Sequence, residues 1–340
     1  MATIKDVAKI AGVSPSTVSR VIKDHKGISR ETKKRVRKIM EEIGYTPNIA
    51  ARNLVTNQSN TIGLILKSGV YEVNLNPFYS EVSLGVSDTC RDKGFSTLTT
   101  VEDNDMRLLE EVRELVNSRQ VDGFILLYSK ERDAIMDYLM TINFPFVVIG
   151  KDVMNSGDAI HVDNDNVQAA KEMTELLIDE GYEDIVMVVD NEVFAVSQDR
   201  IAGFEQAMAA NGLSSKCKVV QCDKDESSIE RMLVDLFDHT PPQALLTLDG
   251  VLNARIISRL YQMQIRIPED VATATFSESP LTKFAAPPQT VVDIYPKELG
   301  KEASNEVIML IKDDNRLKRN ITVPTRIIER QSTKKEEDKG

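Results

Sequence analysis

The N-terminal segment groups several hydroxyl side chains around one arginine. Ser14, Ser16, Thr17 and Ser19 precede Arg20 in SPSTVSR. Hydroxyl groups hydrogen-bond to phosphate oxygens, and a guanidinium matches the two acceptors on the major-groove edge of guanine. These residues therefore predict contact with double-stranded DNA if they share an exposed helix face.

The charge of the chain is unevenly distributed, and its basic part coincides with this cluster. The net charge is −11, yet residues 1–58 contain twelve Lys and Arg against five Asp and Glu, a balance of +7 that leaves −18 for the remainder. A compact basic module on an acidic body is expected when one end of a protein approaches a polyanion. A solvated charged helix is the alternative, and charge alone does not decide between the two.

Helix start and stop signals divide residues 1–46 into three short helices. Thr3, Ser14 and Ser29 are suitable N-caps, Pro15 suits a first helical position, and Gly12 predicts a turn between the first two helices. Two short helices joined by a tight turn and braced by a third form a helix-turn-helix unit, whose second helix fits the major groove. A three-helix domain that does not bind DNA would have less reason to expose small polar groups and an arginine there.

The head and the segments after it resemble the lactose/galactose repressor family. The similar segments are TIKDVAKIAGVSPSTVSRVIK, GYTPNIAARNL and NTIGLIL, and the resemblance continues to about Arg330. It implies that Pro15, Ser16 and Arg20 occupy the base-reading positions. Proline has no side-chain donor, so we expect Ser16 and Arg20 to carry the recognition. The positions that match the family's phosphate contacts are Thr3, Ser14, Thr17, Ser19, Ser29, Tyr45 and Asn48.

Residues 47–56 resemble the hinge helix of this family. Ala50 and Ala51 are small enough for two copies to pack across a dyad, and Leu54 matches the apolar side chain that the family inserts into the minor groove. An ordinary linker with a stray leucine is the alternative. A helix this short is not stable alone in water, so we expect it to fold only on DNA beside a partner subunit.

From Thr61 onward, apolar strand-like runs alternate with amphipathic helices. The runs begin with TIGLIL at 61–66 and continue to DVATATF at 270–276. Buried, non-alternating strands predict parallel sheets covered by helices, and the number of units predicts two doubly wound lobes. The resemblance implies the plan of a periplasmic sugar-binding protein with three crossovers. The implied near lobe is 61–161 and 290–320, and the implied far lobe is 162–289 and 321–330.

The predicted fold class is a small all-α helix-turn-helix head followed by an α/β body of two parallel-sheet lobes. The head comprises residues 1–46, followed by a hinge and linker at 47–60 and a two-lobed effector-binding and dimerisation domain at 61–330. The charged, apolar-poor tail at 331–340 is predicted to be disordered.

Residues at or just after strand ends are candidates for a small-molecule site, because open parallel sheets bind ligands at the carboxyl ends of their strands. Aromatic rings can stack on the flat C–H faces of a sugar. Arg200, in QDRIAGF, resembles the family's ligand-binding arginine, and its planar fork suits paired hydroxyls. Each candidate has a structural alternative; Asp249 could cap a helix and Phe78 could belong to the core. The effector-binding candidates are Lys67, Phe78, Tyr79, Lys151, Asp152, Arg200, Asp249, Phe276 and Ser277.

Within this family the chain most resembles the maltose-operon repressors of Gram-positive bacteria, through LDGVLN, NPFY and IGKD. The resemblance implies a repressor whose DNA affinity is controlled by maltose or a short maltodextrin. A regulator of another sugar operon, or a global carbon-catabolite regulator with a phosphorylated protein partner, remains open. We expect a homodimer on a pseudo-palindromic operator, since each head reads one half-site.

Sequence motifs of enzymes are missing. There is no Walker A sequence, no G-x-G-x-x-G after a strand, no H-E-x-x-H and no G-x-S-x-G. Cys90, Cys217 and Cys222 lack a metal-ligand grouping, no apolar run approaches the ~20 residues of a membrane span, and no export signal is recognisable. We therefore expect a cytoplasmic, non-enzymatic protein without metal, cofactor or membrane contact. A sugar-binding or metabolic protein is the other class, but it would not need the basic head.

Overall fold

The chain forms two compact units, residues 1–59 and 60–340. The predicted hinge at 47–56, with Asn48, Ala51 and Leu54, lies outside the residues described here. The computed structural model describes residues 2–22, 24–45, 58–67, 70–153, 157–190, 194–313 and 315–334.

The first unit contains three helices, α1 (Ile4–Ala11), α2 (Pro15–Ile22) and α3 (Arg30–Glu42). Thr3 and Asp6 form a reciprocal capping box at the start of α1, and Gly12 ends that helix with φ of +62°. The three helices enclose one small apolar core whose fully buried members are Val7, Val18, Val21 and Val36. The predicted helix-turn-helix architecture is confirmed.

The second unit alternates strands and helices along its whole length. Its first half contains β1 (Thr61–Leu66), α4 (Val70–Leu75), α5 (Pro77–Lys93), β2 (Ser96–Val101), α6 (Asp105–Asn117), β3 (Gly123–Leu126), α7 (Ala134–Thr141), β4 (Phe146–Ile149) and β5 (Ile160–Asp163). Its second half contains α8 (Asn166–Asp179), β6 (Ile185–Val189), α9 (Ala195–Ala210), β7 (Lys218–Gln221), α10 (Glu226–His239), β8 (Ala244–Thr247), α11 (Gly250–Gln262), β9 (Ala272–Phe276), α12 (Pro280–Lys283), β10 (Thr290–Asp293), α13 (Pro296–Lys312), β11 (Asn320–Thr322) and β12 (Arg326–Ile328).

These strands form two six-stranded sheets, each the centre of one lobe. The first lobe has the order β11-β5-β4-β3-β1-β2 and is parallel throughout. The second has the order β12-β10-β9-β8-β6-β7, with only the β10–β12 pair antiparallel. Helices cover the sheets, so the central strands are buried on both faces as their apolar runs predicted, whereas the edge strands β2, β7, β11 and β12 are partly exposed.

The crossovers between lobes differ from the predicted boundaries. β5 continues to Asp163 in the first sheet, and β10 pairs with β9 in the second sheet rather than belonging to the near lobe. The chain leaves β10 at Ile294 and Tyr295, where Tyr295 has φ of +47° and Pro296 begins α13. Prolines flank the short run TVVD of β10, but which of the two sheets it joins depends on its pairing with β9, which the sequence does not display.

The predicted disorder of the tail is wrong for residues 331–334. Ser332 and Thr333 are buried, and the Ser332 hydroxyl donates to the Thr273 carbonyl at 2.6 Å and accepts from the Thr290 amide at 2.8 Å. The Tyr182 hydroxyl donates to the Thr333 carbonyl at 2.9 Å. The small hydroxyl side chain of Ser332 thus hydrogen-bonds to backbone groups of the second sheet. A low content of apolar residues does not reveal this kind of anchoring.

Candidate DNA-contact helix and effector cleft

The start of α2 gathers the hydroxyl groups predicted from the sequence. The Ser14 hydroxyl lies 2.7 Å from that of Ser16 and 2.9 Å from that of Thr17, and it accepts the Thr17 amide at 3.1 Å. Ser16 and Arg20 are exposed, as is Pro15. A capped helix end with clustered hydroxyls and a positive dipole can bind phosphate while the exposed face beyond it meets base edges.

The other predicted phosphate-contacting residues of the head have local structural roles. The Thr3 hydroxyl donates to the Asp6 carboxylate at 2.7 Å, and Ser29 accepts the Thr32 amide at 3.1 Å. Tyr45 packs partly against the helical core. Accepting an amide leaves the Ser29 hydroxyl able to donate to a phosphate oxygen, whereas the single hydroxyl hydrogen of Thr3 is donated to Asp6 and would have to be redirected on DNA.

A cavity of about 450 Å³ lies between the two lobes of the second unit. Seven of the nine effector-binding candidates line it: Lys67, Phe78, Tyr79, Lys151, Arg200, Asp249 and Ser277. The structure also brings charged, polar and aromatic residues there that the sequence analysis missed. They include Asn76, Tyr128, Ser129, Asp163, Asn166, Asp190, Phe194, Ser197, Asp223 and Lys224.

Two predicted cleft residues do not line the cavity. The buried carboxylate of Asp152 accepts the Gly157 amide at 3.1 Å and lies 4.0 Å from the His161 ring nitrogen Nε2. Phe276 is the last residue of β9 and is fully buried, because a strand covered on both faces keeps its final side chain in the core. Its ring centroid lies 4.1 Å from the guanidinium carbon of Arg200, so Phe276 packs against a side chain that lines the cleft.

A three-residue ion cluster occupies the second-lobe side of the cleft. The Lys224 ammonium lies 2.8 Å from the carboxylates of both Asp190 and Asp249. Burial alone would lower the pKa of Lys224, but Asp249 and Asp190 outweigh it and raise that pKa above its usual value. Burial likewise opposes ionisation of Asp249, yet Lys224 holds the Asp249 pKa below its usual range. Lys224 and Asp249 are therefore both charged at neutral pH.

Asp249 both lines the cavity and caps a helix. One carboxylate oxygen accepts the amides of Val251 and Leu252 at 2.8 and 2.9 Å, which caps α11, and the other pairs with Lys224. Asp190 follows β6, and Lys224 comes shortly after β7. The strand-end rule would have found both residues if it had been applied at those strands.

Arg200 is held rigidly beside this cluster. It donates from Nη1 to the Leu248 carbonyl at 2.7 Å and from Nε to Asn166 Oδ1 at 3.2 Å. Burial lowers the pKa of Arg200 to about 10 and raises the pKa of Asp163, also in the cleft, to about 6. A guanidinium has five N–H groups, so Arg200 can make these contacts and still donate to ligand hydroxyls.

The aromatic side of the cleft is built by the start of α5. Asn76 caps this helix by accepting the Phe78 amide at 3.1 Å, and Pro77 occupies its first turn. The rings of Phe78 and Tyr79 meet edge to face with centroids 5.5 Å apart. Phe78 packs against the apolar cores of both lobes. Phe78 therefore belongs to the core and also lines the cavity, while its contact with a ligand stays a prediction.

The first-lobe cations of the cleft have acidic neighbours. Lys67 pairs with Asp105 and lies 5.5 Å from the centroid of the Tyr128 ring. Lys151 lies 2.7 Å from Asp199 of the second lobe. Burial lowers the pKa of Lys67 despite its pairing with Asp105.

The part of the chain that the structure describes contains no group of three or more His, Cys, Asp or Glu residues placed to hold a metal ion. In the same described ranges, no helix has the length and apolar character needed to span a membrane.

Two sequence families match different parts of the chain. Residues 3–48 match bacterial regulatory proteins of the lacI family, and residues 174–333 match a periplasmic binding protein-like domain. The HTH-type transcriptional regulator MalR of Staphylococcus xylosus is 43% identical over 334 residues, covering 98% of each chain. The MalR regulator of Streptococcus pneumoniae is 34% identical over 315 residues, covering 92% of this chain and 93% of its own.

Solved structures show the same architecture. A probable maltose operon transcriptional repressor from Staphylococcus aureus superposes with a TM-score of 0.78 at 37% identity, covering 82% of this chain and 100% of that one. The lac repressor dimer bound to operator and an anti-inducer gives a TM-score of 0.84 at 20% identity, covering 98% of this chain and 99% of that one. At that identity the second likeness is one of fold.

Proposed function

The chain belongs to the lacI family of bacterial regulatory proteins, and we propose that it represses genes of maltose or maltodextrin use, with a sugar in the interlobe cleft controlling its affinity for operator DNA. The observation that carries this proposal is the 43% identity to the MalR regulator of Staphylococcus xylosus over 98% of both chains. Similarity over that length includes the head and both lobes. The relatives are transcriptional regulators, so we infer binding rather than catalysis in the cleft.

The charge and size of the cleft suit an uncharged sugar. Its volume of about 450 Å³ falls in the range of small-molecule sites. Four acidic residues balance four basic ones. The carboxylates can accept hydrogen bonds from sugar hydroxyl groups and the cations can donate to them, so the ligand need not carry a charge. These charged lining residues are Asp163, Asp190, Asp223, Asp249, Lys67, Lys151, Arg200 and Lys224.

In the head, we assign base recognition to Ser16 in the first turn of α2 and to Arg20 in its last turn, both exposed, with Pro15 beside Ser16. The proposed phosphate contacts are Thr3, Ser14, Thr17, Ser19, Ser29, Tyr45 and Asn48. We further propose that Ala51 packs against its copy in a partner hinge and that Leu54 enters the minor groove. Support for these hinge roles comes from the sequence resemblance alone.

A homodimer would cover an apolar surface of the second lobe. A shallow groove there is formed by α11, α12 and the segment after α12, with Phe284 and Leu281 at its surface. Phe284 is 77% exposed, and Leu281 is 38% exposed. Aromatic and aliphatic side chains grouped in this way favour a protein contact, and a two-fold pair of heads requires a second copy.

The effector and the operator can be tested together on the full chain. We expect calorimetry to show binding of maltose or maltotriose in preference to ribose and cellobiose. Saturating maltose should change operator affinity by about 5- to 150-fold, in the direction set by which lobe arrangement each ligand prefers. Preferential binding of ribose or cellobiose would point to another sugar operon, and absence of operator binding would contradict the proposal.

A further inference from the structure

One side chain joins all three crossovers between the lobes. Asn164, in the first crossover, donates from Nδ2 to the Ile294 carbonyl at 3.2 Å and to the Val323 carbonyl at 2.9 Å. These carbonyls belong to the second and third crossovers. Asn164 is buried, so loss of these contacts would leave polar groups without water to replace them.

A second asparagine connects this junction to the cleft. Asn166, the first residue of α8, donates from Nδ2 to Asp163 Oδ1 at 3.1 Å and to the Asn164 carbonyl at 3.3 Å. Its Oδ1 accepts Nε of Arg200 at 3.2 Å. Asn166 is only 2% exposed. The side-chain amide of Asn166 thus accepts a hydrogen bond from Arg200 on the cleft side and donates hydrogen bonds on the crossover side.

Asp163 closes the network at its far end. Its carboxylate accepts the backbone amide of Asn164 at 2.8 Å, and its backbone carbonyl accepts the amide of Val323 at 2.8 Å. Hydrogen bonds therefore run without a break from Arg200, which lines the cleft, to all three crossovers.

We infer that Asn166 is a positioning residue that couples the cleft-facing guanidinium of Arg200 to the three crossover segments. A ligand that moves Arg200 forces the buried Asn166 amide to follow or to lose a bond, and either response changes the hydrogen bonds that hold the crossovers. The relative positions of the lobes depend on those segments. This inference rests on the proposed function only in taking a cleft ligand as the regulator.

Hydrogen exchange of the full chain without ligand tests the connection directly. Asn166→Leu should speed exchange of the Tyr295 and Val323 amides by about 5- to 10-fold, the effect of leaving buried groups unpaired. Arg200→Lys removes the Nε donor and should speed the same amides. Lys224→Met is the matched control, because it removes the ion pairs with Asp190 and Asp249 in the same cleft while leaving the side chain of Asn166 unaltered.

Three exchange patterns would overturn the inference. Unchanged exchange of the Tyr295 and Val323 amides in Asn166→Leu would show that the Asn166 side chain does not hold the crossovers. A change in Asn166→Leu without one in Arg200→Lys would make Asn166 a local support only. An equal change in Lys224→Met would indicate general loosening of the lobe. If Asn166→Leu fails to fold, Asn166→Asp keeps the acceptor toward Arg200, removes the donor and is judged by the same criteria.

A second measurement asks whether the connection carries regulation. The ratio of operator dissociation constants with and without saturating maltose should approach one in the folded Asn166 variant and differ from one in the natural chain. The inference would be overturned if the variant had the same ratio of dissociation constants as the natural chain. Failure of the natural chain to bind maltose would instead contradict the proposed effector, and the ligand-free exchange result would still decide the role of Asn166.

Discussion

Lys151 of the first lobe and Asp199 of the second form an ion pair across the cleft, with Nζ 2.7 Å from Oδ1. Lys151 follows β4 and Asp199 lies in the first half of α9, so the pair depends on how far the two lobes are separated. The Lys151 side chain is 49% exposed and that of Asp199 is 15% exposed. Water therefore screens the attraction, and the pair can break and re-form as the lobes move.

Asp199→Asn should make ligand leave the cleft faster. A partly exposed pair contributes about 0.2–1 kcal/mol, which predicts maltose dissociation roughly 1.5- to 5-fold faster in stopped-flow displacement. The difference should shrink in about 1 M salt, where the Debye length falls to about 3 Å. Glu175→Gln is the control, because it removes a Lys171–Glu175 pair within α8. An equal effect of both substitutions would contradict a role for the cross-lobe pair.

The sequence was informative where function depends on local chemistry. Asp249 is predicted as a cleft residue with helix capping as the alternative, because either role follows from its place between β8 and α11. Phe276 was misassigned because the rule of strand ends does not distinguish the last buried residue of a strand from the first residue beyond it. Asn164 could not be found at all, since its partners lie 130 and 159 residues away.

Arg20→Ala should relax operator specificity at one base position. A bidentate contact between arginine and guanine discriminates by about 1–3 kcal/mol, so the penalty for changing that base should shrink by this amount in band-shift titrations. Lys38→Ala in α3 is the control, since Lys38 is 75% exposed beside Glu42 and belongs to none of the proposed contacts. Uniform weakening on every operator variant, with a smaller salt slope, would mean that Arg20 contacts only phosphate.

Phe284→Asp should convert the dimer to a monomer. The substitution places a charge on the apolar groove where the second copy is proposed to pack, and desolvating an unpaired charge is strongly unfavourable. Sedimentation velocity at micromolar concentration measures the change. Leu317→Asp is matched to it, because Leu317 is 81% exposed outside the groove. Loss of the dimer in both variants, or in neither, would exclude the groove as the specific interface.

Asp163 should make the stability of the second unit depend on pH. Burial raises the pKa of its carboxyl to about 6 in the folded chain, against 3.8 for an ordinary aspartate. Between these values the folded chain binds more protons than the unfolded chain, so its stability falls as the pH rises through this window. A shift of this size corresponds to about 3 kcal/mol.

Asp163→Asn removes the ionisation while keeping an oxygen to accept the amides of Asn164 and Asn166. Measured by urea unfolding, the variant should gain stability relative to the natural chain as the pH rises from 4 to 7, with most of the gain below pH 6. Asp249→Asn is the contrasting control: Lys224 holds the Asp249 pKa below its usual range, so the stability that this charge contributes is present above pH 3.8 and is lost only at lower pH. Its difference from the natural chain should therefore stay constant between pH 5 and 7. If the Asp163→Asn difference were equally constant, Arg200 would be stabilising the Asp163 carboxylate enough to offset its burial, and the folded-state pKa of Asp163 would have to be near that of an ordinary aspartate.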